Sequence, residues 1–395
     1  MAEVVRHVND EERRARLARR HALSAPVHSV EEAVTSVVCL HATEPPSVYL
    51  SVQARSGASR ADVGRALYED RTVVKQLAMR RTLFAFPTSL LPATWGSASV
   101  RVTEQISTRL AKEVESNGLA ENGSAWVTRA SNAVLRSLRE EGPATTTELR
   151  TRIPTLSQRL ERSPGKKYGG HFPVAPQLLT VLAASGRVVR GDNAGDWKLS
   201  RPRWTPTDEW LDDVPSALDA AGGYRVLVEH WLRRFGPGTE DDVVWWLGAT
   251  KSAVRRALTD LDAAPVELAG GEVGYLMPDD LDEVTDPGPW AALLPVLDPT
   301  TMGWKQRGFY LDPDDVPYLF DTNGNGGTTA WWHGRVVGCW VQDDDGAVQV
   351  VLRHDVGAEA QRALDAEARR LSAWLAGQRV STVYSSLQMK HARLP

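Results

Sequence analysis

At 395 residues, with 42% apolar and 24% charged side chains, the chain is long enough for two to four compact units, each with its own core. Two cysteines in apolar runs, with no CxxC spacing, exclude a disulfide framework and suit a reducing cytoplasm, and the lack of any 18-residue apolar run excludes a membrane span. The net charge of −4 is uneven: Lys+Arg outnumber Asp+Glu by 15 to 11 in residues 1–110 and by 14 to 6 in 124–205, but trail by 16 to 30 in 206–395. A basic front half suggests an anionic partner there, or simply two differently solvated halves.

The first 21 residues are charged and lack an apolar h-region, so no signal peptide is expected. Glu11 to Leu23 reads as a basic amphipathic helix. Ser29 and Glu32 then stand at capping-box spacing, and Val34, Val37, Val38 and Leu40 continue one apolar face, predicting a helix that runs to the stretch LHATEPPSVYL. Pro45 and Pro46 break it, and Ser47 is placed to cap a short helix beyond. His41 and Thr43 fall at this break, where neither helix fully buries them. A rigid corner presenting His-x-Thr suits chemistry; it equally suits a plain corner, with His41 capping a helix and Thr43 bonding the broken backbone.

Ser59 to Asp62 opens another helix, and VVKQLAMRRTLFAFP predicts a strand or hairpin whose Arg80 and Arg81 are placed as phosphate contacts or as exposed strand charges. Three helices followed by a hairpin is the winged-helix pattern. Residues 88–120 read as a long helical connector. From Ala125 the pattern returns: a helix ending at Gly142-Pro143, a second starting at Thr145 to Glu148, a third near Ala175 to Leu182, and a wing. That wing is predicted as Arg187–Arg190 paired with Trp197–Leu199, so that Arg187, Arg190 and Lys198 can meet phosphates. A third copy follows, with LRRFGPGTEDDVVWWLG matching LREEGPATTTELRTRI, a helix at Lys251–Leu258 and a wing in PVELAGGEVGYLMP. The expected units are 1–120, 121–206, 207–287 and 288–395. The last is an antiparallel sheet with turns at His333-Gly334 and Asp345-Gly346 and a final helix from Ala358 to Ala376, making the whole α+β.

No Walker loop, GxGxxG, HExxH or CxxC is present, so neither a metal nor a cofactor is expected. Trp245-Trp246 and Trp331-Trp332 alternate as packing residues do, and Asp343 to Asp345 read as a solvated turn. At the corner an imidazole, a hydroxyl and a carboxylate stand within four residues, at His41, Thr43 and Glu44. Asp298, between an apolar strand and a proline turn, either faces a binding channel or caps its turn through Thr300 or Thr301. Gln53 and Arg55, beyond the corner, are placed to reach a base or its phosphate.

The stretch LHATEPPSVYLSVQAR, the MRRTLFAFP strand, the tandem winged helices and LLPVLDPTTMGWKQRGFYL together resemble the AlkZ and YcaQ family of bacterial winged-helix DNA glycosylases over nearly the full length. The resemblance implies a C-shaped stack of winged helices around a DNA-sized channel and metal-free, monofunctional release of alkylated or bulky-adducted purines from duplex DNA. It also implies a role in base excision repair or in self-resistance to a genotoxin, in the cytoplasm at the nucleoid, with no membrane or protein partner. Characterised members carry Gln-x-Gln or Gln-x-Asp where this chain has His41 and Thr43; because glycosyl hydrolysis passes through a cationic sugar, the resemblance implies His41 to direct water, Thr43 to hold it and Glu44 to supply a carboxylate. That departure keeps two other expectations open: a non-catalytic winged-helix DNA-binding protein, and a protein that sequesters the free genotoxin. With His41 as base, acid inhibition is expected, because an ordinary imidazole titrates near pH 6.5.

Overall fold

The computed structural model describes residues 4–162, 165–166 and 169–391. One order of elements recurs three times: a helix, a short strand or bridge, two further helices, and a two-stranded hairpin whose second strand pairs with that short strand. In the first instance the elements are Val30–Thr35, Leu40–His41, Pro45–Ser56, Arg60–Tyr68 and the hairpin Val73–Ala78 with Thr82–Pro87. In the second they are Gly123–Glu141, the Ala144 bridge to Trp204, Thr146–Arg152, Ala175–Ala184, and Val188–Asn193 with Pro202–Pro206. In the third they are Ala220–Phe235, Gly238–Thr239, Glu240–Leu247, Lys251–Asp260, and Ala264–Leu268 with Val273–Leu276.

Local chemistry explains most of the starts. Ser29 with Glu32, Ser59 with Asp62, Thr145 with Glu148 and Thr239 with Asp242 all form reciprocal capping boxes, each satisfying amide donors that a helix start leaves free. Residues 88–116 form a nearly continuous helical run into Val100–Ser116, broken by a π-turn at Trp95–Ser99. Four antiparallel strands (Ala291–Leu294, Thr329–Trp332, Arg335–Gln342 and Val348–Leu352) make the last sheet, and the helix Gly357–Leu375 packs on it through Leu364, Leu371 and Leu375. The fold is therefore α+β. A hairpin of Arg159–Arg162 with Gly170–Pro173, inserted in the second instance, had no signal in the sequence pattern. No helix among the described residues is long and apolar enough to cross a membrane.

The cores divide unevenly. The first and third instances and much of the C-terminal region share one apolar cluster, whereas the second packs around its own, built on Leu135, Leu138, Leu149, Leu178 and Leu182. The second instance still reaches back across the first. Its hairpin pairs over 188–193 and 202–206 rather than 187–190 and 197–199, because Asn193 gathers the intervening loop, its side-chain amide donating to the carbonyls of Gly195, Asp196 and Leu199. Trp197 is thereby freed from any strand and docks against Tyr49 and Trp374.

The first helix, Asp10–Arg20, is less of an exposed basic surface than its sequence suggests. Arg16 pairs with Glu12 and Asp280, Arg20 with Asp280, and the short strand before it, His7–Val8, runs parallel to Ala264–Leu268. Much of its charge is spent inside the molecule. Both cysteines are buried and unbridged.

Candidate active site

The His-x-Thr corner is a strand-to-helix turn, not a helix-to-helix break. The helix opened by Ser29 stops at Thr35, and Val38 takes a left-handed backbone (φ 65°), which swings the chain into the short strand Leu40–His41. Leu40 pairs with Ala85 and His41 with Phe84, and the amide of Ala42 donates to the carbonyl of Leu83 at 2.9 Å. Pro45 and Pro46 do not interrupt a helix here; they begin one. They fill the first two positions of Pro45–Ser56, where a missing amide hydrogen costs nothing, and Pro45 holds Glu44 extended as the N-cap. Ser47, expected as the cap, instead donates to the carbonyl of Val296 at 2.9 Å.

This geometry separates the three side chains. His41 is buried, 8% exposed, its ring edge-on to Phe84 at 5.1 Å and its Nδ1 without a hydrogen-bond partner. Burial, aided by the charge of Arg80, pushes its imidazole down to about 3. The ring is thus neutral throughout the physiological range, and the expectation of an exposed base titrating near pH 6.5 is corrected. Thr43 is exposed. Glu44 is half-buried, one carboxylate oxygen accepting the Val383 amide at 3.1 Å. Glu44 also lines a cavity of about 600 Å³, with Pro46, Ser47, Leu50, Trp340 and Gln342.

Asp298 and Arg55 are not in that company. Both are fully buried, and they pair bidentately at 2.9 and 2.7 Å. Ser51 donates to the same carboxylate at 2.6 Å, and the Thr300 amide at 2.9 Å, so Asp298 caps its own turn as well. Arg55 also donates to the Thr300 hydroxyl, which lies 2.8 Å from Nδ1 of His21. Nε2 of His21 faces the carbonyl of Arg234 at 3.2 Å and must carry the proton, so Nδ1 accepts from Thr300. The expectations that Asp298 faces a channel and that Arg55 reaches DNA are corrected: their partners are each other. Gln53 is likewise buried.

A family model described as "DNA glycosylase AlkZ-like" matches residues 34–374. The chain belongs to the AlkZ-like family of DNA glycosylases. Its fold is also similar to that of the Streptomyces sahachiroi DNA glycosylase AlkZ, with a TM-score of 0.73 at 19% identity, covering 95% of this chain and 98% of that one. No curated protein matches it.

In this AlkZ-like chain the cationic candidates fall into distinct settings. Arg80 and Arg81 form the tip of the first hairpin, both with left-handed backbones (φ 54° and 60°). Arg81 points outward, while Arg80 turns in over the ring of Trp245, 4.2 Å from its centroid, and burial pushes its guanidinium down to about 10. Trp245 is thus no plain packing residue. Arg187 is exposed, donates to Asn132 at 3.1 Å and shares a shallow groove with Arg136 and Arg139. Arg190 stacks on Trp204 at 4.8 Å, and Lys198 lies in the loop between the hairpin strands, 3.9 Å from Asp196.

One residue that sequence reasoning passed over stands close to the corner. Lys75 borders a narrow crevice with Ala42, Pro45, Leu83 and Arg190, and its amine donates to the Tyr68 hydroxyl at 2.8 Å. Burial and the neighbouring Arg190 push it down to about 7. The available signal was a lone charge in an otherwise apolar strand, VVKQLA.

Proposed function

We propose that this protein hydrolyses the N-glycosidic bond of alkylated or bulky-adducted purines in duplex DNA, with the reaction centred on the Thr43-Glu44 turn. The observation that carries the reading is the separation at that turn: an exposed hydroxyl and a half-buried carboxylate stand side by side on a rigid strand-to-helix corner. As the bond to the base breaks, positive charge grows on the sugar, and a carboxylate stabilises it while accepting a proton from the attacking water. Thr43 orients that water and Glu44 deprotonates it. His41, neutral and behind them, adds no positive charge to oppose the cation.

In this reading the three recurring units are winged-helix modules around a concave DNA channel, with Arg81, Arg187 and Arg190 on phosphates and the acidic C-terminal half turned away. The absence of glutamine at both motif positions favours a second reading, a DNA-binding protein without turnover. The large cavity beside Glu44 suits a third, capture of a free genotoxin. Single-turnover base release from duplexes carrying small and bulky purine adducts tests them, with wild type beside Glu44→Gln and Thr43→Val. Release that is lost in Glu44→Gln, with duplex affinity retained, supports the first. Absence of release from every adduct by the wild type, with salt-dependent duplex binding intact, favours the second; ligand affinity without duplex binding favours the third.

A further inference from the structure

Three distant segments meet beside the His41 strand. Arg80 comes from the first hairpin, Trp245 from the helix Glu240–Leu247, and Arg307 from the loop between Gly303 and Leu311. Both guanidiniums lie against the same indole, at 4.2 Å and 5.4 Å from its centroid, and Arg307 also covers Phe320 at 4.5 Å. We propose that Arg80, Trp245 and Arg307 form a phosphate clamp that holds the DNA backbone next to the nucleotide undergoing hydrolysis. The proposal rests on the DNA reading above and adds three residues, Arg80, Trp245 and Arg307, to it.

Charge balance is the first argument. Among the described residues neither Arg80 nor Arg307 has a carboxylate within ion-pair distance, and the charge of Arg307 bears on Arg80. The structural arginines of the same molecule behave differently: Arg16 pairs with Glu12, Arg20 with Asp280, Arg55 with Asp298 and Arg353 with Asp315. Two converging cations left without an acid are matched by an anion from outside. Stacking on the indole offsets part of their cost and orients each fork, and Nε of Arg307 donates to the Trp304 carbonyl at 3.2 Å, so contact with the oxygens of a phosphodiester falls to the terminal nitrogens. Nε of Arg80 is buried and has no partner among the described residues.

Backbone geometry is the second. A left-handed conformation costs a non-glycine residue on the order of 1 kcal/mol, and the hairpin tip holds two in succession. That twist turns Arg80 inward while Arg81 stays outside. Gly248, itself left-handed, closes the helix of Trp245 against this tip: a Cβ there would stand 3.0 Å from Cγ of Arg80 and 3.2 Å from its amide nitrogen. The inward pose is built into both sides of the contact.

The test is the salt dependence of binding to an undamaged fluorescent duplex, measured by anisotropy for wild type, Arg307→Gln, Arg307→Lys and Arg80→Gln. Loss of one phosphate contact lowers the log–log salt slope by about 0.9, with roughly tenfold weaker binding at low salt. Arg307→Gln should show that loss, whereas Arg307→Lys keeps the slope and loses part of the affinity. A packing defect would lower the melting temperature without changing the slope. Wild-type slope and affinity in Arg307→Gln would overturn the clamp and leave the DNA reading standing. Absence of wild-type duplex binding at any salt would overturn both.

Discussion

Replacing Asp298 by asparagine separates a structural carboxylate from a reacting one. Asp298 and Arg55 are 0% exposed, and the carboxylate accepts from Ser51, both terminal nitrogens of Arg55 and the Thr300 amide. Asparagine has nearly the same shape but presents an NH2 where one oxygen took two donors. Arg55 then keeps its charge in a site closed to water, with half its pairing gone. Stranding one partner of a buried pair typically costs about 3–5 kcal/mol, which for a marginally stable protein is a large share of the total. The assay is urea unfolding followed by tryptophan fluorescence, with far-UV circular dichroism as a second probe because several units are involved. A double variant, Arg55→Met with Asp298→Leu, removes both charges and should recover most of the loss. An Asp298→Asn midpoint equivalent to within about 0.5 kcal/mol of wild type would refute the reasoning. Loss of base release at unchanged stability would instead return Asp298 to the reaction.

Acid should destabilise the fold more steeply than surface groups alone require. His41 is held near 3 and His21 well below its usual value, so between about pH 6.5 and the folded value the unfolded chain binds the extra protons. Stability from each is fully present above pH 6.5 and falls by about 1.4 kcal/mol per pH unit as the medium acidifies. Urea midpoints from pH 7 to 4 check this, and His41→Asn should flatten the slope. For the same reason a pH profile of base release should show no inflection near 6.5 from His41. Glu44→Gln should lower single-turnover release by about 10²- to 10⁴-fold with little change in melting temperature, since its amide oxygen still accepts from Val383. Lys75 has the opposite relation to alkali: its folded value near 7 lies below the unfolded one, so the penalty is full below pH 7 and fades toward pH 10.5. Lys75→Met should therefore be more stable than wild type at pH 7, with the gap closing by pH 10, as read by thermal melts.

What the sequence made legible was local. Capping boxes at Ser29, Ser59 and Thr145 announce their helices because donor and acceptor lie three residues apart. The turns at Gly334 and Gly346 carry positive φ and were readable from composition. What failed was set by distant partners. Val37 to Leu40 fit a helical face, yet pairing of Leu40 and His41 with Ala85 and Phe84 overrode that periodicity. The cap that Asp298 forms with Thr300 was one of its two readings, but its pairing with Arg55, which read as reaching DNA, was not, because a separation of 243 positions hides the bond. The strand Trp197–Leu199 failed for the converse reason, a polar side chain, Asn193, holding the backbone that a partner strand would have used.

The same distinction changes how the motif itself is understood. Read as a line of residues, His41 and Thr43 are alternate positions with similar access to a substrate. Strand geometry sends successive side chains to opposite faces and equal-parity ones to the same face, which predicts that His41 and Thr43 point together. The turn defeats that rule, since the strand ends at His41 and the chain rotates through Ala42 before Glu44 caps the next helix. The imidazole is left against Phe84 and the hydroxyl outside. In the proposed reaction the water-directing work therefore falls to Thr43 and the carboxylate that follows it, because the imidazole of His41 is buried.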